Sequence, residues 1–326
     1  MDGVLIVDKP VGPTSHDVVA RARRALRERR IGHTGTLDPA ASGVLPLVIG
    51  RATRLARFLS GSDKSYEASI RLGWATDTGD AQGAPVGVPY TGILPHRNDI
   101  EAALGSFRGA FLQQPPAYSA KRVDGHRSYR LARAAARQRM QQGATALELP
   151  PPDTLLPAPV TVTELNVVDV EGRNVTISVT CSAGFYVRSL ARDLGERLGT
   201  AAHLTTLRRT RSGDYGLADT ISLDAMEGDR DVAIAAIIPP ARLLTGLPSV
   251  VLTPEGARHA RHGRDLGPAD LARPGELSGA TPSATPSPAG CEADAWFRLL
   301  DADGELLGLA RPSSASGLLH PSVVLM

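Results

Sequence analysis

The sequence predicts a protein of mixed helices and strands in two domains, one large and one small. Three observations carry that expectation. Two segments alternate apolar and polar residues, the period of a half-buried strand. In the first, Tyr66, Ala68, Ile70 and Leu72 face one way and Glu67, Ser69 and Arg71 the other; in the second, Val175, Ile177, Val179 and Cys181 alternate with Thr176, Ser178 and Thr180. Two further segments carry helical spacing: Val18, Val19, Ala22, Ala25 and Leu26 make one stripe, and Leu190, Leu194 and Leu198 recur every fourth residue. Finally, 326 residues with 42% hydrophobic content exceed the usual single domain and suffice for packed cores.

The elements follow in order. Val4 to Val7 is a short apolar run, read as a buried strand that ends at Lys9-Pro10 and a turn through Gly12-Pro13. A helix starts near Ser15, a suitable N-cap, with its arginines on the face opposite the apolar stripe. A loop rich in Gly, Thr and Pro surrounds Asp38. After the alternating strands, Arg188 falls at a strand-to-helix junction, and Gly199 ends that helix. Gln138 to Pro159 reads as an irregular insert rich in Gln, Ala and Pro, and Gly267 to Gly290 as a mobile loop rich in Pro, Ala, Ser and Gly. Trp296–Leu300 and Glu305–Leu309 flank Asp301-Ala302-Asp303-Gly304 as a hairpin, and Gly317 to Leu325 reads as a turn and a strand.

Composition narrows the function. No apolar run of 18 residues occurs, so no membrane span is expected, and the N-terminus lacks the pattern of a signal peptide. Two cysteines suggest neither a disulfide framework nor a metal site, and a reducing cytoplasm fits best. Net charge is only +2, but arginines 21, 23, 24, 27, 29 and 30 crowd one segment and 208, 209 and 211 another. Each cluster reads either as a solvated surface or as a set of phosphate contacts. Of 36 basic residues only Lys9, Lys64 and Lys121 are lysines, which points to a local need for a compact ammonium at Lys9 and Lys64. There is no Gly-x-Gly-x-x-Gly after a strand, no P-loop and no Cys or His cluster, so no cofactor or metal is expected.

Four blocks, in order, carry a resemblance. They are Asp8-Lys9-Pro10-Val11-Gly12-Pro13-Thr14-Ser15, Gly32-His33-Thr34-Gly35-Thr36-Leu37-Asp38-Pro39, Lys64-Ser65-Tyr66 and Gly184-Phe185-Tyr186-Val187-Arg188-Ser189-Leu190. Together they resemble the TruB family of tRNA pseudouridine-55 synthases. The resemblance implies an α+β fold, a pseudouridine-synthase-type mixed and largely antiparallel sheet with flanking helices. It also implies a catalytic domain over residues 1–247 and a small, β-rich, PUA-like RNA-binding domain over 248–326, though the C-terminal match is much weaker.

The resemblance also distributes roles. Asp38, Tyr66 and Arg188 would be catalytic, with Arg188 keeping the Asp38 carboxylate ionised and Tyr66 stacking on the target ring within reach for proton transfer. Without the motif, Asp38 reads as a turn residue, Tyr66 as a core tyrosine and Arg188 as a helix-start arginine. His33, Tyr186 and Leu207 would bind the substrate, while Lys9, Pro10 and Lys64 would support the site. The implied reaction converts uridine to pseudouridine in the T-loop of tRNA by an Asp-centred, cofactor-free route, with the base flipped out of its stack. A cytoplasmic monomer that binds the T-stem and loop is expected. Two competitors remain: a guide-RNA-dependent relative, against which the absence of a long basic tail argues, and a tRNA-folding chaperone in which catalysis is secondary.

Overall fold

The computed structural model describes residues 1–116, 156–272, 295–313 and 317–325, together with the backbone of 122–123 and 126–127. Lys121, most of the 138–159 insert and residues 273–290 of the expected loop lie outside the described residues.

The chain opens with β1 (Gly3–Lys9), α1 (Ser15–Leu26), β2 (Ile31–His33), β3 (Ala41–Ile49) and α2 (Ala56–Ser60). It continues through β4 (Lys64–Leu72), β5 (Ala75–Thr76), β6 (Pro85–Val86), α3 (Arg97–Leu104), β7 (Gly109–Gln113), β8 (Arg122–Val123) and β9 (His126–Arg127). Then come β10 (Ala158–Glu171), β11 (Asn174–Cys181), α4 (Val187–Arg197), β12 (Ala202–Ser212), β13 (Tyr215–Gly216), β14 (Ile221–Ser222), α5 (Leu223–Gly228) and α6 (Arg230–Ala235). The last part holds β15 (Ser249–Val251), α7 (Pro254–Arg261), β16 (Phe297–Leu300), β17 (Leu306–Pro312) and β18 (Leu319–Val324).

One large sheet runs β14-β1-β3-β12-β4-β11-β10-β7, with β2 added to β3 and β13 to β12. Only β1–β14 and β3–β12 pair in parallel. The expected α+β fold with a mixed, largely antiparallel sheet is therefore what the chain adopts. The alternation predicted for β4 and β11 holds, since Ala68, Ile70, Leu72, Val175, Ile177, Val179 and Cys181 are all buried. These strands pair directly, Tyr66 opposite Val179, and pack against Leu190, Ala191 and Leu194 of α4. A second core forms where Val18, Val19, Ala22 and Leu26 of α1 cover Leu5, Val7, Leu45 and Leu47.

Four sequence expectations need correction. The N-cap of α1 is Thr14, in a capping box with Asp17. Ser15, one residue later, is buried and bonds to the Asp38 loop instead. Leu198 is not within α4 but caps it. Ala158 and Pro159, assigned to the irregular insert, already belong to β10 and pair with β7. At the start of the expected loop, Pro268–Asp270 forms a short 3-10 turn, and the Asp270 carboxylate meets His259 Nδ1 at 2.8 Å.

The C-terminal strands form a separate sheet, β15-β16-β17-β18, in which the predicted hairpin pairs β16 with β17. Its inner face has a core of its own, including Val250, Leu252, Phe297, Leu299, Ala310 and Leu319. A further cluster is shared between the sheets: Val4, Ile6, Val44, Val48 and Leu55 pack with Leu306, Leu309 and Leu325. At that junction Phe58 meets Trp296 edge to face, and the guanidinium groups of Arg57 and Arg311 lie 4.9 and 5.2 Å from the indole centroid.

Candidate active site

The loop between β2 and β3 is pinned at several points. Ser15 Oγ accepts from the Leu37 amide at 2.8 Å and donates to the Leu37 carbonyl at 3.0 Å, which fixes the residue before Asp38 to the start of α1. The Gly12 amide donates to the Pro39 carbonyl at 2.8 Å. The Gly12 turn is in turn held by Lys9, whose buried ammonium donates to the carbonyls of Pro10 and Pro13, each at 2.8 Å. Lys9 and the Pro10 carbonyl are thus linked to the Asp38 loop through the Gly12–Pro39 bond. Burial pushes the Lys9 ammonium down to about 8, opposed by the Asp38 charge and reinforced by Arg209.

Arg188 arrives from the first turn of α4. One guanidinium nitrogen lies 2.9 Å from the Asp38 carboxylate, across 150 positions of sequence, and another donates to the Thr78 carbonyl at 2.9 Å. The Arg188 side chain is only 7% exposed, whereas that of Asp38 is 40% exposed. A buried, fixed cation thus stands against a carboxylate that still faces the cleft. Behind Arg188 stands Asp80, buried, with its carboxylate 3.9 Å from Arg188 Nε and bonded to Thr78 Oγ1 and the Gln82 amide. Sequence reasoning missed Asp80. In Thr76-Asp77-Thr78-Gly79-Asp80 it has the composition of any turn, and nothing distinguishes it from Asp77.

Tyr66 enters from β4, opposite Arg209 of β12. Its ring packs at the meeting of the two main cores. Burial pushes its phenol above the ordinary tyrosine value, while the charge of Arg209 pulls the other way. Lys64, two residues earlier, is buried and donates to the carbonyls of Ser60, at 2.5 Å, and Ser62. Burial and the Arg209 charge lower its ammonium to about 8. Arg209 is itself a correction. The sequence placed it in a surface cluster, but it is 1% exposed; its alternation on β12 turns it inward beneath the cleft. Arg208 pairs with Asp8 at 2.7 Å, and Arg211 is exposed.

A cleft of about 420 Å³ is lined by His33, Asp38, Lys64, Tyr66, Tyr186, Arg188 and Leu207, among others. Seven of the nine residues singled out from the sequence thus surround one space; Lys9, which is buried, and Pro10, which is exposed, do not line it. His33 ends β2, edge to face with His16 at 5.3 Å. Leu207 pairs with Ala41 and Ala68 between β3 and β4. Tyr186 is clamped by Gln113, which accepts from its amide at 2.8 Å and donates to its carbonyl at 3.1 Å. Among the described residues no group of His, Cys, Asp and Glu is placed to hold a metal ion. Chemically, the cleft offers a carboxylate with its counter-cation, a phenol and a ring-sized space between apolar walls.

This fold and cleft define a class, the pseudouridylate synthases: the N-terminal domain of the TruB family pseudouridylate synthases matches residues 23–187 and the tRNA pseudouridylate synthase B C-terminal domain matches 188–241. The chain belongs to the TruB family. It is 45% identical over 268 residues to tRNA pseudouridine synthase B of Solibacter usitatus (strain Ellin6076), covering 82% of this chain and 86% of that one. It is 40% identical over 323 residues to tRNA pseudouridine synthase B of Burkholderia mallei (strain NCTC 10247), covering 98% and 96%. Among solved structures it resembles a Cbf5-Nop10-Gar1 complex, with a TM-score of 0.68 and 28% identity over 99% of this chain and 85% of that one. An H/ACA RNP bound to a substrate RNA containing 2'-deoxyuridine gives a TM-score of 0.67 and 25% identity over the same shares.

Proposed function

We propose that this chain isomerises a uridine of the tRNA T-loop to pseudouridine by a mechanism centred on Asp38. The enzyme class, a tRNA pseudouridine synthase, follows from the family and from relatives of that name at 38–45% identity. The observation that carries the assignment of residues is the 2.9 Å contact between Asp38 and a buried Arg188 at the mouth of the cleft. The reaction breaks N1–C1′, turns the base and joins C5 to C1′; C5 loses a proton and N1 gains one, so no oxidant or reductant is consumed. An ionised carboxylate serves as nucleophile or charge partner for that exchange, and Arg188 holds it charged. Tyr66 stacks on the flipped base and lies within reach for proton transfer. His33, Tyr186 and Leu207 hold the nucleotide, and Lys9, Pro10 and Lys64 keep the walls in place.

The protein acts as a cytoplasmic monomer on the T-stem and loop, with the sheet after Ser249 as a PUA-like accessory RNA-binding domain. No helix among the described residues is long and apolar enough to cross a membrane. The guide-RNA reading is the weaker one, because the complexes are only 25–28% identical to this chain. The test is an unmodified tRNA transcript incubated with the protein alone and mapped for pseudouridine. One new pseudouridine in the T-loop supports the proposal; none, or modification only with an added guide RNA, refutes it.

A further inference from the structure

Arg209 lies buried beneath the cleft, and no carboxylate pairs with it among the described residues. A buried guanidinium is costly to desolvate, and an apolar side chain would fill the same core more cheaply. Its hydrogen bonds show what the arginine supplies instead. Nε donates to the Val44 carbonyl at 2.7 Å and one terminal nitrogen donates to the Gly35 carbonyl at 3.1 Å, while the residue stands directly opposite Tyr66 across β12 and β4, its charge beside the phenol. These neighbours belong to three different pieces: the Asp38 loop, the strand that follows it and the strand carrying Tyr66. β12 is the strand between β3 and β4, so Arg209 stands beside all three.

The backbone makes room for this contact. Arg209 pairs in parallel with Gly43, which has φ +103°. A Cβ at Gly43 would stand 2.1 Å from the Arg209 carbonyl oxygen, so only glycine allows the two strands to approach here. At Gly35 a Cβ would sit 3.3 Å from an Arg209 guanidinium nitrogen, tight against the fork.

We propose that Arg209 is a positioning residue, which braces the Asp38 loop against β3 directly beside the Tyr66 phenol so that both side chains meet the flipped base as one rigid face. This rests on the function proposed above. A lysine keeps the charge but loses the planar fork that bonds both carbonyls while flanking Tyr66. A misplaced reacting group slows the chemical step more than it weakens binding.

The experiment is single-turnover isomerisation of unmodified tRNA by wild type, Arg209→Lys, Tyr66→Phe and the double variant, with tRNA affinity measured in parallel. Wild-type turnover tests the function itself; the ratios among the variants test Arg209. The expected result is a loss of about 10- to 100-fold in rate for Arg209→Lys with affinity little changed. In the Tyr66→Phe background the same substitution should cost markedly less, because the phenol it positions is already gone. Equal loss in both backgrounds, or a loss of affinity that accounts for the whole effect, overturns the proposal. If Arg209→Lys does not fold, Gly35→Ala crowds the fork from outside and should slow turnover at unchanged affinity; a wild-type rate in that variant also overturns it.

Discussion

Arg188 is held from two sides, by Asp38 in front and by Asp80 and the Thr78 carbonyl behind. Asp80→Asn keeps the bonds to Thr78 and Gln82 feasible but removes a charge that orients the guanidinium. The expected outcome is a drop of about tenfold or more in single-turnover rate with tRNA affinity retained, as for a catalytic group shifted by less than an ångström; equal rates would show that Asp80 does not act on Arg188. Cys181 gives a second residue-level prediction. Burial pushes its thiol up to about 12, and its Sγ faces the Lys64 carbonyl at 3.6 Å. In a Cys291→Ser chain, a thiol reagent at about pH 8 should label nothing until the protein is unfolded. Rapid labelling of the native chain would contradict the burial of β11.

At the scale of elements, the lysines couple the site walls to pH. Lys9 and Lys64 titrate near 8 in the folded chain against an ordinary value of 10.5. Between those values the unfolded chain holds more protons than the folded one, so these groups make stability rise with pH in that window and contribute no such slope below it. Unfolding near pH 9 should therefore take up protons, and Lys9→Met should reduce the uptake by about one proton per chain, read by calorimetry in buffers of different ionisation enthalpy. An unchanged uptake would contradict the burial of Lys9. Ser15→Ala should cost about 1–3 kcal/mol in denaturant unfolding, since it strands the Leu37 amide and carbonyl at a buried site; no loss would show that the loop is held elsewhere. Much of this architecture was legible in the sequence. Alternation gave β4 and β11, spacing gave α1 and α4, and the four motif blocks brought Asp38, Tyr66 and Arg188 to one cleft. Ser15 and Asp80 were not legible in their true roles, because a cap and a turn use the same residue types as a tether and an anchor. Arg209 was masked by its arginine neighbours: side-chain direction on β12 depends on bulges in its pairing with β4, which local sequence does not mark.

At the scale of the molecule, the two sheets are joined by a common apolar cluster, so ending the chain before Ser249 would expose Val4, Ile6, Val44 and Leu55. The truncated chain should unfold at lower denaturant than the full one; equal midpoints would mean the shared cluster adds nothing. Arginines on the exposed surface, including Arg24, Arg29, Arg57 and Arg311, are available for phosphate contacts despite a net charge of only +2. Affinity for tRNA should fall about tenfold or more between low and moderate salt, and a flat titration would leave these side chains merely solvated. The central claim is that Asp38, presented by Arg188, performs the isomerisation in a cleft that binds RNA by other means. It is tested most directly by Asp38→Asn, assayed for pseudouridine in unmodified tRNA and for tRNA affinity in the same preparation. The account predicts retained binding with no pseudouridine formed. Substantial turnover by that variant would contradict it.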